Sequence, residues 1–351
     1  MHPLRTGHDT LPRLPALLAE LGLSGSAFVI SDSHVLPLYG ERVRTLLEDA
    51  GWRVVMRAVP AGEASKSLDC ASELWDWLVS ERAERRDTVI ALGGGVVGDL
   101  AGWVAATYLR GLNLVQVPTT LLAQVDSSIG GKTGIDHPRA KNLIGSFYPP
   151  CLTLVDTALL SSLPPRELVN GSAEVVKTAL IADADLFEYL LDHADALNRL
   201  EAEPTAHVIG RCAELKLEVV TEDPKESGRR AILNYGHTIG HSIEAASGYD
   251  GLLHGEAVAV GMRGAARIAV EMGLLAPEVE ARQSAALDRF GLPKSAPGLE
   301  PERVLAAMRL DKKVLAGGQR WVLLRGIGHP EVRSDVPGDL VERIVRECVT
   351  G

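Results

Sequence analysis

The stretch ILNYGHTIGHSIE, residues 232–244, places His237 and His241 four residues apart, so on a helix both imidazoles would share a face. Two histidines at this spacing hold zinc in metalloproteases, where a Glu directly after the first serves as general base. Thr238 stands there instead, which argues against protease chemistry. Arg230, Asn234, His237 and His241 are spaced 4, 3 and 4, which predicts one polar stripe along a helix, with Ile232, Ile239 and Ile243 turned mostly away. Solvated faces tend to be rich in Glu and Lys, whereas an Arg-Asn-His-His stripe suits an anion and a metal. Gly236 and Gly240 permit close helix packing. A second polar pair, Glu174 and Lys177, sits three apart in the otherwise apolar NGSAEVVKTALI, where a surface ion pair is the alternative to a functional one, and His254 opens a further helical pattern in LLHGEAVAVG. One carboxylate and two histidines from separate segments would make an open three-ligand zinc site with room for a substrate. Spacing alone leaves open which histidines join Glu174.

Two glycine stretches offer anion chemistry. ALGGGVVGDLAGW carries G-x-G-x-x-G at Gly93, Gly95 and Gly98, after a predicted strand and at the start of a predicted helix. Bare backbone there lets a pyrophosphate approach the amides of a helix N-terminus. No acid follows about 20 residues downstream, as the standard dinucleotide pattern requires, but Asp32 at the end of VISD is a candidate ribose partner. The alternative is a merely tight strand-to-helix turn. DSSIGGKTG, residues 126–134, resembles the tail of a P-loop, yet Asp126 occupies the place of the first glycine and would repel a phosphate. Lys132 could still reach an anion from this turn.

The elements that must position these residues divide into two parts. SAFVISD (26–32), WRVVMRAV (52–59), DTVIALGGG (87–95), LNLVQVPTT (112–120) and CLTLVD (151–156) read as strands, separated by amphipathic helices such as SLDCASELWDWLVSERAE. Alternating βα units predict a parallel sheet with helices on both faces. From about residue 161 long helical patterns take over, in LFEYLLDHADALNRL, AHVIGRCAELKLEVV and GEAVAVGMRGAARIAVEMG. The expected architecture is α/β: a Rossmann-like nucleotide-binding domain over residues 1–160 and a mainly helical metal- and substrate-binding domain over 161–351. A cleft between two such domains is a common place for a small-molecule site.

Composition bounds the partners. The chain of 351 residues is 46% hydrophobic and 23% charged, with a formal charge of −10 that argues against nucleic acid as the bulk partner. A small anion can still be bound by Arg and Lys gathered in one pocket. Cys70, Cys151, Cys212 and Cys348 form no CxxC pair, so neither a disulfide framework nor a cysteine zinc site is expected. No stretch approaches the ~18 apolar residues of a membrane span. A cytoplasmic protein is expected.

Taken together these residues resemble the 3-dehydroquinate synthases, members of the sugar phosphate cyclases. The resemblance runs from about residue 26 to 330. It is carried by PAGEASKS, GGGVVGDLAGWVAATYLRG, QVPTTLLAQVDSSIGGKTGIDHPRAKNLIGSFYPP, SAEVVKTALI, GRRAILNYGHTIGHSIE, LHGEAVAVGM and DKKVLAGGQRWVLL. It implies metal ligands Glu174, His237 and His254 for Zn2+ or Co2+, with His241 facing the substrate. NAD would be held by Asp32, Glu63, Lys66, Gly94, Gly95, Val96, Asp99, Thr119, Thr120, Asp126, Lys132, Lys141, Asn142, Leu159 and Ser162. A seven-carbon keto acid phosphate would meet Lys132, Asn142, Lys177, Lys216, Arg230, Asn234, Asp126 and one of Lys312 and Lys313. Arg110 resembles an arginine that reaches into a neighbouring subunit's site, which implies a homodimer.

The implied chemistry is transient oxidation of a substrate hydroxyl, β-elimination of phosphate, re-reduction and intramolecular aldol closure, with no net redox. This sequence departs from the family's usual residues at Asp136, Arg139, Ala140, Tyr235, Ile239 and Ser162, none of them a proposed metal ligand. Rival readings are a sister cyclase acting on a sugar phosphate without a carboxylate, an amino-substrate variant of the same reaction, a metal-dependent polyol dehydrogenase that releases NADH, and a non-catalytic binding protein. A substrate without a carboxylate would have no need of Lys216, Arg230 and His241.

Overall fold

The structure, a computed structural model, describes residues 3–226, 228–248, 251–314 and 320–350. Two compact units emerge, one of residues 1–164 with 205–217, the other of residues 165–204 with 218–351.

The first unit is built on a six-stranded sheet. Its strands are β1 (Leu4–Gly7), β2 (Ser26–Asp32), β3 (Arg53–Val59), β4 (Thr88–Gly93) and β5 (Asn113–Pro118), with β6 (Lys132–His137) and β7 (Ala140–Phe147) forming a separate hairpin before β8 (Leu152–Asp156). Sheet order is β1-β8-β5-β4-β2-β3, and every pairing is parallel. Helices α1 (Leu14–Glu20), α2 (Leu36–Asp49), α3 (Leu68–Ser80) and α4 (Gly95–Thr107) cover it. Alternation along β2 explains why both faces are covered. Phe28 and Ile30 pack with Leu74, Leu78, Leu100 and Val104, whereas Ala27 and Val29 pack with Leu14, Leu18, Val43 and Leu47. The chain runs from β2 outward to β3, then returns to place β4 on the other side of β2. Such a reversal opens a crevice at the carboxyl ends of the flanking strands, which here carry Asp32 and the Gly93–Gly95 turn.

The five expected strands and the helix after PAGEASKS are present. Two elements were not foreseen. β1 has four residues and pairs only with β8, too short for an alternating pattern to show. The β6–β7 hairpin begins within DSSIGGKTG, so Lys132 opens a strand and not the helix that a P-loop requires. In that hairpin Gly134 faces Gly145, and a Cβ on either would lie 2.6 or 2.2 Å from a carbonyl oxygen across the pair. Only glycine permits so close an approach.

The second unit holds α5 (Pro165–Ala182), α6 (Ala184–Asn198), part of α7 (Ala202–Glu222), α8 (His237–Ala246), α9 (His254–Glu271), α10 (Pro277–Arg289), α11 (Pro301–Val314) and α12 (Gly338–Thr350). A hairpin of β9 (Trp321–Gly326) and β10 (His329–Arg333) interrupts the helical pattern. α9 is buried along nearly its whole length and packs against α5, α8, α10 and α12. Its contact with α8 runs through glycines. A Cβ on Gly261 would lie 1.9 Å from Gly236 O, and one on Gly240 3.1 Å from Val258 Cα. The small residues at 236 and 240 therefore serve close packing, as expected from their spacing.

Candidate active site

The stripe from Arg230 to His241 is not one helix. Residues Arg229–Asn234 form a 3-10 turn, the chain then reverses through Gly236 at φ +80°, and α8 begins at His237. A Cβ at Gly236 would meet Met262 N at 2.8 Å and Val258 O at 2.8 Å, so packing against α9 fixes the break there. The break separates side chains that a continuous helix would have set in one stripe. Arg230 and Asn234 lie on the turn before it, His237 and His241 on the helix after it.

Arg230 is buried; its backbone N–H donates to Asp223 Oδ2 (3.1 Å) and its Nη1 to Pro224 O (2.9 Å). Asn234 Nδ2 donates to Glu226 Oε1 (2.9 Å). His237 Nδ1 lies 3.2 Å from Tyr235 O, the geometry of a ring N–H donating to a carbonyl, which leaves Nε2 as the lone-pair nitrogen. Nε2 is 3.7 Å from Glu174 Oε1, and His254 Nε2 is 3.9 Å from the same oxygen. One ligand atom from each of Glu174, His237 and His254 lies within 4.8 Å of the others.

Glu174 is 1% exposed and Lys177 2% exposed. A surface pair is therefore excluded for them. The Lys177 ammonium touches Glu174 Oε2, yet neither carboxylate oxygen has a well-angled hydrogen bond. Lys177 answers the charge of this buried carboxylate at Oε2, while Oε1 faces the two imidazoles. Burial, with help from Lys177 and the neighbouring histidines, pushes His237 well below the ordinary histidine range and keeps it in the neutral form that ligates. Divalent zinc or cobalt matches this donor set of two imidazoles and one carboxylate.

The starts of α8 and α9 position the two candidate histidine ligands. Glu256 accepts from Leu253 N (2.8 Å) and is gripped by Arg166 at 2.8 and 2.7 Å, fixing the chain where α9 begins. Asn170 Oδ1 accepts from Gly255 N (2.6 Å), tying α5, which carries Glu174, to the residue after His254. His241 is exposed, its ring centroid 5.1 Å from that of His237.

In the first unit, Gly94 caps α4 without any side-chain hydrogen bond, and Gly95 and Val96 open its first turn, as a pyrophosphate site requires. A Cβ on Gly94 would meet Thr120 Cγ2 at 2.9 Å, and Thr119 N donates to Gly93 O (2.9 Å). Thr119 Oγ1 and Ser127 Oγ are buried here with no hydrogen-bond partner, so a ligand's oxygens would find waiting donors. Bare turn, uncapped helix and orphan hydroxyls together fit a dinucleotide.

Beside this turn, Lys66 donates to Asp99 Oδ2 (2.9 Å) and to Asn142 Oδ1, and pairs with Glu63 at 3.8 Å. Lys141 reaches the same Glu63 oxygen at 3.5 Å. Burial would lower the Lys66 ammonium, but Asp99 and Glu63 outweigh it and hold it above its usual value. Asp99 is raised by its own burial despite Lys66. Asp136 Oδ1 accepts from Asn142 N (2.7 Å), which holds Asn142 at φ +55°.

Other expected residues are placed as follows. Lys216 is buried and donates to Asp126 O (2.6 Å) and Oδ1 (2.5 Å). Asp32 Oδ1 accepts from His34 N and Val35 N, shaping the turn after β2. Tyr39 Oη joins Leu159 O (2.8 Å) to Ser162 Oγ (2.6 Å). Lys132 is exposed at the head of β6. Arg110 is exposed on a loop where Leu109, Arg110 and Gly111 all have positive φ. Lys312 and Lys313 fall on the last turn of α11, and their side chains lie outside the described residues.

Residues 56–170 match the family model described as 3-dehydroquinate synthase N-terminal, and residues 171–314 the one described as 3-dehydroquinate synthase C-terminal. The chain belongs to the 3-dehydroquinate synthase family. The 3-dehydroquinate synthase of Nostoc punctiforme is 46% identical over 341 residues, covering 96% of this chain and 94% of that one. Among solved structures, 2-epi-5-epi-valiolone synthase from Streptomyces hygroscopicus subsp. jinggangensis, with NAD+ and Zn2+ bound, matches with a TM-score of 0.91 at 31% identity, over 99% of this chain and 96% of that one. A 2-deoxy-scyllo-inosose synthase complexed with carbaglucose-6-phosphate, NAD+ and Co2+ matches at 0.88 and 30%, with the same coverage.

For a chain of this family, sequence reasoning missed two groups that the geometry supplies. Ser127 lies inside the quoted DSSIGGKTG but was hidden by the P-loop comparison. Glu244 lies seven residues after His237, so it shares a helix face with that histidine, but this spacing does not mark it as a partner of His254.

Proposed function

We propose that the chain catalyses the 3-dehydroquinate synthase reaction, turning 3-deoxy-D-arabino-heptulosonate 7-phosphate into 3-dehydroquinate and phosphate. The observation that carries this reading is the buried guanidinium of Arg230, on the turn that leads directly into ligand His237. A guanidinium there is the natural counterpart of a substrate carboxylate. Near full-length similarity to 3-dehydroquinate synthases at 44–48% identity supports it further.

Glu174, His237 and His254 would hold Zn2+ or Co2+, and the Gly94–Val96 turn with Thr119, Thr120, Lys66 and Asp99 would hold NAD. When bound, the metal supplies Lewis acidity at the substrate's hydroxyl oxygens and NAD a hydride acceptor that later returns what it took. Lys177 fixes the Glu174 carboxylate and carries a proton donor at the buried end of the site. His241 exchanges a proton at the substrate. Lys216 and Arg230 take the carboxylate. Lys132, Asn142, Asn234 and Arg110 orient the phosphate, with one lysine of Lys312 and Lys313. Once a ketone stands next to the C–H, phosphate leaves by β-elimination and takes that proton itself, so no side chain is needed as sole base. The hemiketal ring then opens by loss of its C–O bond, freeing a ketone, and an intramolecular aldol step closes the carbocycle.

Arg110 serves the site of a second copy in a homodimer. Its exposure supports this, as does the pinning of its loop by Tyr148, whose hydroxyl donates to Leu112 O (2.6 Å). Four free thiols support a cytoplasmic setting, and no helix among the described residues is long and apolar enough to cross a membrane. A sister cyclase activity is the second reading, favoured by the TM-scores of 0.91 and 0.88 to such enzymes.

The test is phosphate release by purified protein with NAD and Zn2+ from three sugar phosphates: the seven-carbon keto acid phosphate, glucose 6-phosphate and sedoheptulose 7-phosphate. The keto acid phosphate should have much the highest kcat/KM. Turnover of only a substrate lacking the carboxylate would move the chain to a sister activity.

A further inference from the structure

His254 belongs to two overlapping groups. Its Nε2 faces Glu174 Oε1 at 3.9 Å, while its Nδ1 lies 3.1 Å from Glu244 Oε2. His241, Glu244 and His254 themselves offer atoms within 4.8 Å of one another. The two nitrogens of one imidazole diverge, so a single ion cannot take both. If Nδ1 carries the proton and gives it to Glu244 as a hydrogen bond, the Nε2 lone pair points toward Glu174 and His237.

His237 is arranged in the same sense, with Nδ1 toward Tyr235 O and Nε2 toward Glu174. The difference is the partner, a neutral carbonyl for His237 and a carboxyl group for His254. Glu244 is buried at 8% exposure on α8, two turns beyond His237 and therefore on the same face. α8 thus carries one ligand and the orienting partner of the other. Its glycine contacts with α9 at Gly240 and Gly261 hold the two helices at the separation that the Glu244–His254 contact requires.

We propose that Glu244 is a positioning residue of the metal centre: it fixes His254 in the Nδ1–H tautomer and turns Nε2 to the ion, without ligating it. This deepens the reading of Glu174, His237 and His254 as the metal site and rests on it. A carboxylate behind an imidazole also makes the ring a stronger donor, and its loss typically lowers metal affinity about 10–100-fold.

The test uses the full chain with Co2+ as the probe. Affinity is read by competition with a chromophoric chelator and coordination by the visible spectrum of the bound ion. Glu244→Ala should bind one Co2+ about 10–100-fold more weakly with an unchanged visible spectrum. Glu244→Gln should lose less, because its amide oxygen still accepts from Nδ1. His254→Ala, the ligand-loss control, should bind more weakly than either and with an altered spectrum. Parent affinity in both Glu244 variants would overturn the proposal. So would a Glu244→Ala spectrum altered like that of His254→Ala, which would make Glu244 a ligand. Should the alanine variant fail to fold, the near-isosteric Gln variant decides alone, a measurable loss with the parent spectrum upholding the proposal and parent affinity overturning it. Co2+ binding needs no substrate, so failure of the proposed cyclase reaction would leave this outcome readable.

Discussion

In the first unit, Lys66 and Lys141 share the Glu63 carboxylate and Lys66 also holds Asp99 and the amide of Asn142, so the charges beside the glycine turn are largely answered by one another. In the second, Glu174 keeps two buried oxygens without hydrogen bonds, and two imidazole nitrogens face it from 3.7 and 3.9 Å. One region is nearly self-sufficient and presents backbone to its ligand. The other sets the buried Glu174–Lys177 pair beside two imidazole nitrogens that face the same carboxylate, a donor set that a divalent cation would complete. The contrast teaches that the metal region should lose function outright when a ligand is removed, whereas the nucleotide region should weaken by degrees.

His237→Ala breaks the comparison most sharply. Two ligands hold zinc poorly, so metal content after dialysis, measured by atomic emission, should fall to background and activity with it. His241→Ala should retain the metal while turnover falls about 10²–10⁴-fold, measured on the same preparation. Equal metal loss in both variants would overturn the separate jobs given to these histidines.

Gly255→Ala tests how rigidly the ligands are held. Its Cβ would lie 1.9 Å from Asn170 O, and neither backbone can yield cheaply. A loss of about 3 kcal/mol in denaturant unfolding is expected. Lys66→Met should be the mildest, with NAD binding weakened about tenfold by titration of protein fluorescence. The pH dependence has a definite sign here. Lys66 is held above its ordinary value of 10.5, so its favourable contribution is complete below that pH and fades only as pH rises past the raised value. NAD affinity of the parent should therefore show no Lys66 step between pH 7 and about 10.

Much of this was legible in the sequence because periodicity and residue type agree there. The apolar runs of β2, β4 and β5 are buried on both faces and read as strands without help from context. Glu174 and Lys177 stood out as charges in an apolar helix, and burial is what such a pattern means when both partners are present. The polar stripe from Arg230 to His241 misled because its spacing suits a helix, while Gly236 adopts a left-handed conformation that only packing against Met262 and Val258 explains. The β6–β7 hairpin was obscured for a related reason: β7 is mostly exposed, so hydrophobic alternation does not mark it. Glu244 was invisible as a partner of His254, since the two stand ten positions apart on different helices.

On this reading both regions serve one reaction with no net redox. The measurement that tests it most directly follows phosphate release and NADH absorbance together, with the keto acid phosphate in large excess over NAD, before and after a chelator. Phosphate should accumulate far beyond the NAD supplied, without NADH building up, and should stop when the metal is removed. NADH rising in step with substrate consumed, or phosphate release indifferent to the chelator, would contradict it.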